Sequence, residues 1–196
     1  QFEVSLSTLR GAWAVRARWK EYQSGFHEAM LERAASRKFD AWLIGDDGDP
    51  ARAAEFLKVL ELHRIEYQPL AETVRAGEKT FESGSAWVIP ARQRQFGLLE
   101  AIMEQRTRFV DNTFYDVSAW TLPLAFNLPF ATVSRTPKTA ETPAPSQVLM
   151  PEKNARAWLV PWSQLGAPAL LQDLLEAGTG FAPGTPHGLP QRGGRN

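Results

Sequence analysis

The chain carries few side chains suited to metal or nucleophilic chemistry. It has three histidines, His27, His63 and His187, and no cysteine. The lack of cysteine excludes disulfides, thiolate metal sites and a Cys nucleophile. Glu66 follows His63 by three residues, but the pair straddles a predicted helix end and would not share a helical face. Because neither an HExxH motif nor a Gly-x-Ser-x-Gly elbow occurs, we predict no catalytic residue, metal ligand or cofactor in this chain.

A carboxylate-rich loop is the first candidate for ligand binding. Asp46 and Asp47 follow a short apolar run, Ala41–Ile44. Pro50 suits the first turn of the helix that comes next, and Asp49 is its predicted N-cap. A loop between a strand and a helix is a common ligand position, but these carboxylates would repel a phosphate. We interpret the loop as a solvated turn, with a cation- or hydroxyl-binding loop as the alternative.

The second candidate is a segment that mixes aromatic and polar side chains, residues 109–126. Aromatic faces with a few polar groups suit a cleft for a peptide or sugar. The interpretation we favour for this segment is a core helix whose aromatic side chains pack inward, and the ligand cleft is the alternative. Arg92 and Gln93 follow a predicted strand that ends at Pro90, and we expect them near the same sheet edge. The candidate ligand-binding residues are Asp46, Asp47, Arg92, Gln93, Tyr115, Asp116 and Trp120.

Charge and hydropathy argue against two classes of partner. The chain has 22 Lys and Arg residues and 22 Asp and Glu residues, so its formal net charge is zero. Nucleic-acid binders usually carry a basic excess, because phosphate contacts supply much of their affinity. No apolar run approaches the roughly 18 residues that span a bilayer, and residues 1–9 lack the pattern of a signal peptide. We therefore predict neither a nucleic-acid partner nor a membrane span.

Hydrophobic periodicity predicts helices that alternate with short buried strands. Apolar residues spaced by three or four from Leu9 to Arg37 predict a long amphipathic helix with a break near Ser24-Gly25. The strand at 41–44, a helix that ends near His63 and a strand at 65–67 form a predicted βαβ unit. The other predicted elements are a strand at 86–90, helices at 96–107 and 116–126, a strand at 157–160, and a helix at 167–177 with Gly178 as its C-cap.

These elements predict a three-layer α/β fold, flavodoxin-like or Rossmann-like, with a mainly parallel sheet and a long N-terminal helix. The runs at 41–44 and 157–160 are alike, and a Leu-rich helix follows each, so we expect two related βα units in one sheet. The predicted organisation is an N-terminal helical segment (1–38), an α/β core (39–133), a Pro-, Thr- and Ala-rich loop or linker (134–153), a second βα unit of the same core (154–180) and a disordered tail (181–196).

Two sequence motifs resemble a known family. The run SGSAWVIPARQ at 83–93 and the run NTFYDVSAWTLPL at 112–124 resemble the C-terminal region of large bacterial zinc carboxypeptidase-like proteins. The resemblance covers roughly residues 5–180, and the stretch YDVSAW is its most specific part. It implies a class I glutamine amidotransferase-like, flavodoxin-like fold, with a catalytic zinc domain N-terminal to this region of the family's proteins.

For the whole protein, the resemblance implies hydrolysis of C-terminal residues from peptides by a zinc-bound water. No zinc ligand of the family can be placed on this chain, and the Cys nucleophile of an amidotransferase is missing, so only the fold carries over. We expect a non-catalytic accessory domain of a secreted or periplasmic protein. It would pack on the catalytic domain of the same polypeptide or bind peptide or glycan. The alternatives are an independent module that binds a small molecule, peptide or sugar, and a hydrolase that uses Asp46, Asp47 and Asp116.

Overall fold

The structure, a computed structural model, describes residues 1–105, 121–141 and 158–179. The chain divides into two compact units, Gln1–Ser146 and Gln147–Asn196. The described helices are α1 (Phe2–Ala14), α2 (Arg16–Ala35), α3 (Pro50–Leu62), α4 (Phe96–Met103), α5 (Leu122–Ala125) and α6 (Ala167–Glu176). The described strands are β1 (Ala41–Gly45), β2 (Gln68–Pro69), β3 (Val74–Ala76), β4 (Lys79–Phe81), β5 (Ala86–Pro90) and β6 (Phe130–Val133).

The main sheet has the strand order β2-β5-β1-β6, and each neighbouring pair is antiparallel. The mix of helix and strand agrees with the prediction, but every strand pair of this sheet among the described residues is antiparallel rather than parallel. The predicted βαβ unit explains the error. β1 and β2 both run antiparallel to β5, so they share a direction, but β5 lies between them. Short apolar runs show that strands are buried, and they do not reveal which strands are neighbours.

The two faces of the sheet are covered differently. Side chains along a strand alternate between faces, and β1 is buried on both. Trp42 and Ile44 pack into a cluster with α3 and α4. Ala41 and Leu43 pack on the other face, with Phe81 of the β3–β4 hairpin. Helices therefore cover one face and a hairpin covers the other, so the described residues do not form the predicted three-layer arrangement.

Helix α3 forms as the sequence predicts. It begins at Pro50, and the Asp49 carboxylate accepts a hydrogen bond from the backbone N–H of Arg52 at 3.1 Å. Its inward stripe is fully or nearly buried and consists of Ala53, Phe56, Leu57 and Leu60. The cap and the stripe are both local signals, which explains why the sequence alone located this helix.

The predicted N-terminal helix forms, but it begins earlier and breaks elsewhere. α1 starts at Phe2, and Val15 separates α1 from α2 with φ −101° and ψ 12°. Ser24-Gly25 lies inside an unbroken α2. A glycine in a helix costs about 1 kcal/mol relative to alanine, which weakens a helix without ending it.

The C-terminal half of α2 is held against α4. Arg33 pairs with Glu100 of α4 at 2.6 Å, and Arg37 pairs with the same carboxylate. Gly97 allows α2 and α4 to approach closely, because a Cβ there would lie 2.8 Å from the Met30 sulfur. α1, whose residues are all described, has no buried side chain.

The start of the predicted linker is paired with the main unit. The backbone N–H of Ala71 donates to Lys138 O at 3.0 Å, and the N–H of Ala140 donates to Pro69 O at 2.9 Å. Farther along, Pro123 stands in the first turn of the short helix α5 and so begins a helix rather than kinking one. The rest of the predicted 116–126 helix, up to residue 120, lies outside the described residues.

In the second unit, the helix is as predicted and the strand is not. α6 ends in a Schellman motif, in which Gly178 has φ +64° and the Thr179 N–H donates to Leu174 O. The predicted strand at 157–160 is wrong over its described part. Residues 158–160 have no strand pairing with any described residue, and all three are exposed. A strand needs a neighbour, and an apolar run alone does not provide one.

Candidate functional site

The antiparallel sheet separates the two groups of predicted site residues that the structure describes. In the β1–β5 pair, Ala41 lies opposite Pro90 and Gly45 lies opposite Ala86. The loop with Asp46 and Asp47 therefore follows one end of the pair, while Arg92 and Gln93 follow the other. The two ends are about 13 Å apart, at roughly 3.3 Å per residue. The expected single edge does not assemble, and Tyr115, Asp116 and Trp120 lie outside the described residues.

In the loop between β1 and α3, the carboxylates of Asp46 and Asp49 stabilise a turn. Asp46 Oδ1 accepts a hydrogen bond from the Gly48 N–H at 3.0 Å. Asp49 caps α3 and also pairs with the Arg52 guanidinium at 3.1 Å. Asp47 is exposed in the left-handed region, with φ +50°, where Asp is better tolerated than most residues. In the part of the chain that the structure describes, no three potential ligands come together to hold a metal ion.

Gln93 is a buried clamp, only 4% exposed. Its Oε1 accepts from the Glu66 N–H at 2.7 Å, and its Nε2 donates to Glu66 O at 3.1 Å and to Pro90 O at 2.7 Å. The side chain extends the β2–β5 pairing at a point where Pro90 has no N–H to donate. Both amide hydrogens are used, so Gln93 positions the backbone and has no donor left for a ligand.

Beside this clamp lies an open groove of about 650 Å³, which we call the Tyr67 groove. Two short stretches form it, one between α3 and β2 and one at the end of β5. Its lining residues are Glu61, Ile65, Glu66, Tyr67, Gln68, Pro90 and Arg92. Arg92 is the one predicted site residue in this lining. The others were missed, although polar residues flanking a short strand at the edge of the sheet were a signal for such a groove.

Tyr67 is fixed within the groove by Glu61. Its hydroxyl donates to Glu61 Oε1 at 2.5 Å. Burial, the hydrogen bond to Glu61 and the negative charge of Glu61, in that order of size, together raise the pKa of Tyr67 to about 12. The phenol is therefore neutral at physiological pH, so it can donate a hydrogen bond but cannot serve as a general base.

His63 and Glu66 do not form a helical ligand pair. His63 caps the C-terminal end of α3, and the chain then turns through Arg64, which has φ +56°. Both residues are exposed, and Glu66 is one of the residues that line the Tyr67 groove. The sequence-based interpretation of His63 as a helix-terminal residue agrees with this geometry.

A stripe of exposed aromatic side chains runs along α2 from Trp19 to Phe26. Trp19 and Tyr22 are 58% and 63% exposed, and their ring centroids lie 6.5 Å apart. Tyr22 contacts Phe26 at 6.0 Å, and Phe26 lies against Gly97 of α4. The aromatic stripe, Trp19, Tyr22 and Phe26, therefore begins in the α2–α4 contact and continues past it into solvent.

Comparisons with protein-family models, with curated proteins and with solved structures found no match to this chain. None of the described helices is both long enough and apolar enough to cross a membrane.

Proposed function

We propose that this chain is a non-catalytic accessory domain of a secreted or periplasmic zinc carboxypeptidase-like protein. The proposed family rests on the resemblance of the two motifs at 83–93 and 112–124. The accessory role is supported by the aromatic stripe, which leaves three large aromatic side chains exposed. In this proposal the domain packs on the catalytic domain of the same polypeptide, and that domain supplies the zinc and the hydrolytic water.

The aromatic stripe has the composition of a protein interface. Trp, Tyr and Arg are the residues most enriched at interface hot spots. At about 3.6 residues per turn, Arg16 and Arg18 lie on either side of Trp19 and are exposed. The Arg16 guanidinium lies over the ring of Trp13 at 4.4 Å, so an aromatic ring of α1 belongs to the same surface. A basic rim around an aromatic centre fits an apolar surface bordered by carboxylates. Because the stripe already packs on α4 at one end, a partner would extend an existing contact.

The exposed surface of Trp19 determines the expected change in binding affinity. Trp19 leaves more than half of its surface in water, and covering roughly 100 Å² of it would contribute about 2 kcal/mol. Trp19→Ala should therefore weaken binding to the catalytic domain roughly thirtyfold. Trp162→Ala is a matched control, because Trp162 is 65% exposed, slightly more than Trp19, but belongs to the second unit.

The first experiment reads the coding sequence upstream of Gln1. A carboxypeptidase-type zinc domain in the same reading frame supports the proposal, and a signal peptide joined directly to Gln1 contradicts it. The second experiment incubates the purified chain with a peptide substrate that has a free C-terminus. We expect no hydrolysis. Hydrolysis that a chelator abolishes would show that the chain itself is the enzyme.

An independent ligand-binding module is the second candidate function, because the Tyr67 groove is open and lined by charged side chains. It is tested by the melting temperature of the purified chain across a panel of peptides and sugars. A ligand that binds the native state raises the melting temperature in a concentration-dependent way.

A further inference from the structure

We propose that the Tyr67 groove binds a short peptide or amino acid as a zwitterion, with its carboxylate on Arg92 and its ammonium group between Glu66 and Glu61. This inference rests on the second candidate function. It does not depend on whether a zinc domain belongs to the same polypeptide.

Opposite charges border the groove without neutralising each other. Arg92 and Glu66 are both exposed, and neither forms an ion pair with any residue in the ranges 1–105, 121–141 and 158–179. Glu61 uses one carboxylate oxygen to accept from Tyr67. The second oxygen remains available, and a carboxylate offers about four lone-pair positions. A ligand with one positive and one negative end matches this distribution.

The planar guanidinium of Arg92 determines which end of the ligand it takes. Arginine presents paired N–H donors that match a carboxylate in a bidentate geometry. Glu66 and Glu61 are acceptors only and therefore favour an ammonium group. A phosphate would meet two carboxylates beside the single arginine, which disfavours a phosphorylated ligand. A neutral sugar would use neither charge.

The dimensions of the groove suit a ligand of one or two residues. A volume of about 650 Å³ falls within the range of roughly 300–1,000 Å³ for small-molecule sites. A dipeptide extends about 7 Å, at roughly 3.5 Å per residue. Pro90 and the ring of Tyr67 also line the groove and provide apolar contact.

Two contacts order the backbone at Glu66 and the carboxylate of Glu61 before a ligand binds. Gln93 ties the Glu66 backbone to Pro90, two residues before Arg92. The Tyr67 hydroxyl fixes Glu61. Because these groups are ordered in the free chain, binding costs less conformational entropy than it would in a mobile loop.

Calorimetric titration and thermal shift of the full chain with L-alanyl-L-alanine test the proposal. We expect saturable binding at concentrations on the order of millimolar. The N-acetylated dipeptide and the dipeptide amide each lack one charge and should bind at least about tenfold more weakly. Arg92→Gln should reduce binding of the unmodified dipeptide by a similar factor, and so should Glu66→Gln.

Arg75→Gln is the matched control, because Arg75 is an exposed arginine on β3 that does not line the groove. It should bind the dipeptide like the wild-type chain. All three substituted residues are exposed, and circular dichroism confirms that the variants fold. The proposal is overturned if the dipeptide does not bind, if the blocked dipeptides bind equally well, or if Arg92→Gln binds normally. Maltotriose that binds in place of the dipeptide would overturn the ligand class while leaving the binding-module candidate intact.

Discussion

The Gln93 clamp provides the sharpest test of how the groove is built. Gln93→Met keeps a side chain of similar length and removes every hydrogen bond of the amide. Three contacts disappear, two to the Glu66 backbone and one to Pro90 O. At about 1 kcal/mol each they sum to about 3 kcal/mol. Glu66 is exposed, so water can replace part of this loss, and we expect the free energy of unfolding to fall by about 2 kcal/mol.

The assay is urea unfolding followed by tryptophan fluorescence, together with calorimetry. For a chain of 196 residues, a loss of about 2 kcal/mol corresponds to a fall of roughly 4–8 °C in melting temperature. Gln95→Ala is the control, since Gln95 lies two residues away and its side chain makes no capping bond to α4. If Gln93→Met were no less stable than Gln95→Ala, the three hydrogen bonds of Gln93 would contribute nothing measurable to stability, and the prediction would be wrong.

Three further predictions concern the pH response, the carboxylate loop and the aromatic stripe. Because the folded chain raises the pKa of Tyr67 to about 12 from an ordinary value of 10.0, the stability that this phenol contributes is complete below pH 10 and is lost as the pH rises toward 12. Ultraviolet titration of tyrosinate should show one such late group, and Glu61→Gln should move it to lower pH; an unchanged titration would refute the assignment to Glu61. Asp49→Ala should cost about 1–2 kcal/mol in urea unfolding by removing the cap of α3, whereas Asp47→Gly should be neutral because glycine tolerates positive φ; a large loss from Asp47→Gly would mean that the loop does more than turn. Trp19→Ala should leave the melting temperature of the isolated chain within about 1 °C, because its side chain is mostly in water, and a substantial fall would show that the stripe is already covered within the chain.

The sequence predicted the parts of the fold that depend on neighbouring residues. Asp49, Pro50 and the buried stripe of α3 fix that helix locally, and Gly178 ends α6 for the same reason. The strand order could not be predicted this way, because the contact between β1 and β5 joins residues more than 40 positions apart. The β3–β4 hairpin was also missed, although Gly77 with φ +63° marks its two-residue turn.

The candidate site was predicted only in part, for a similar reason. Arg92 was chosen because it follows a strand, and it does line the Tyr67 groove. Gln93 was chosen on the same ground, but its side-chain amide forms hydrogen bonds with the backbone of Glu66 and Pro90 and is not available to a ligand. Tyr67 and Glu61 lie six residues apart and come together across the turn that follows α3, in which Arg64 has φ +56°. A positive φ at a non-glycine residue is uncommon, so this turn could not be read from residue types alone.

Binding of this chain to the zinc domain that we propose for the same polypeptide tests the accessory-domain proposal most directly. Calorimetry with the two separately purified domains should show a stable complex for the wild-type chain and for Trp162→Ala. Trp19→Ala should bind roughly thirtyfold more weakly, and the accessory chain alone should hydrolyse nothing. The proposal is contradicted if the domains do not associate, if Trp19→Ala binds like the wild type, or if the chain alone cleaves peptides in a chelator-sensitive way.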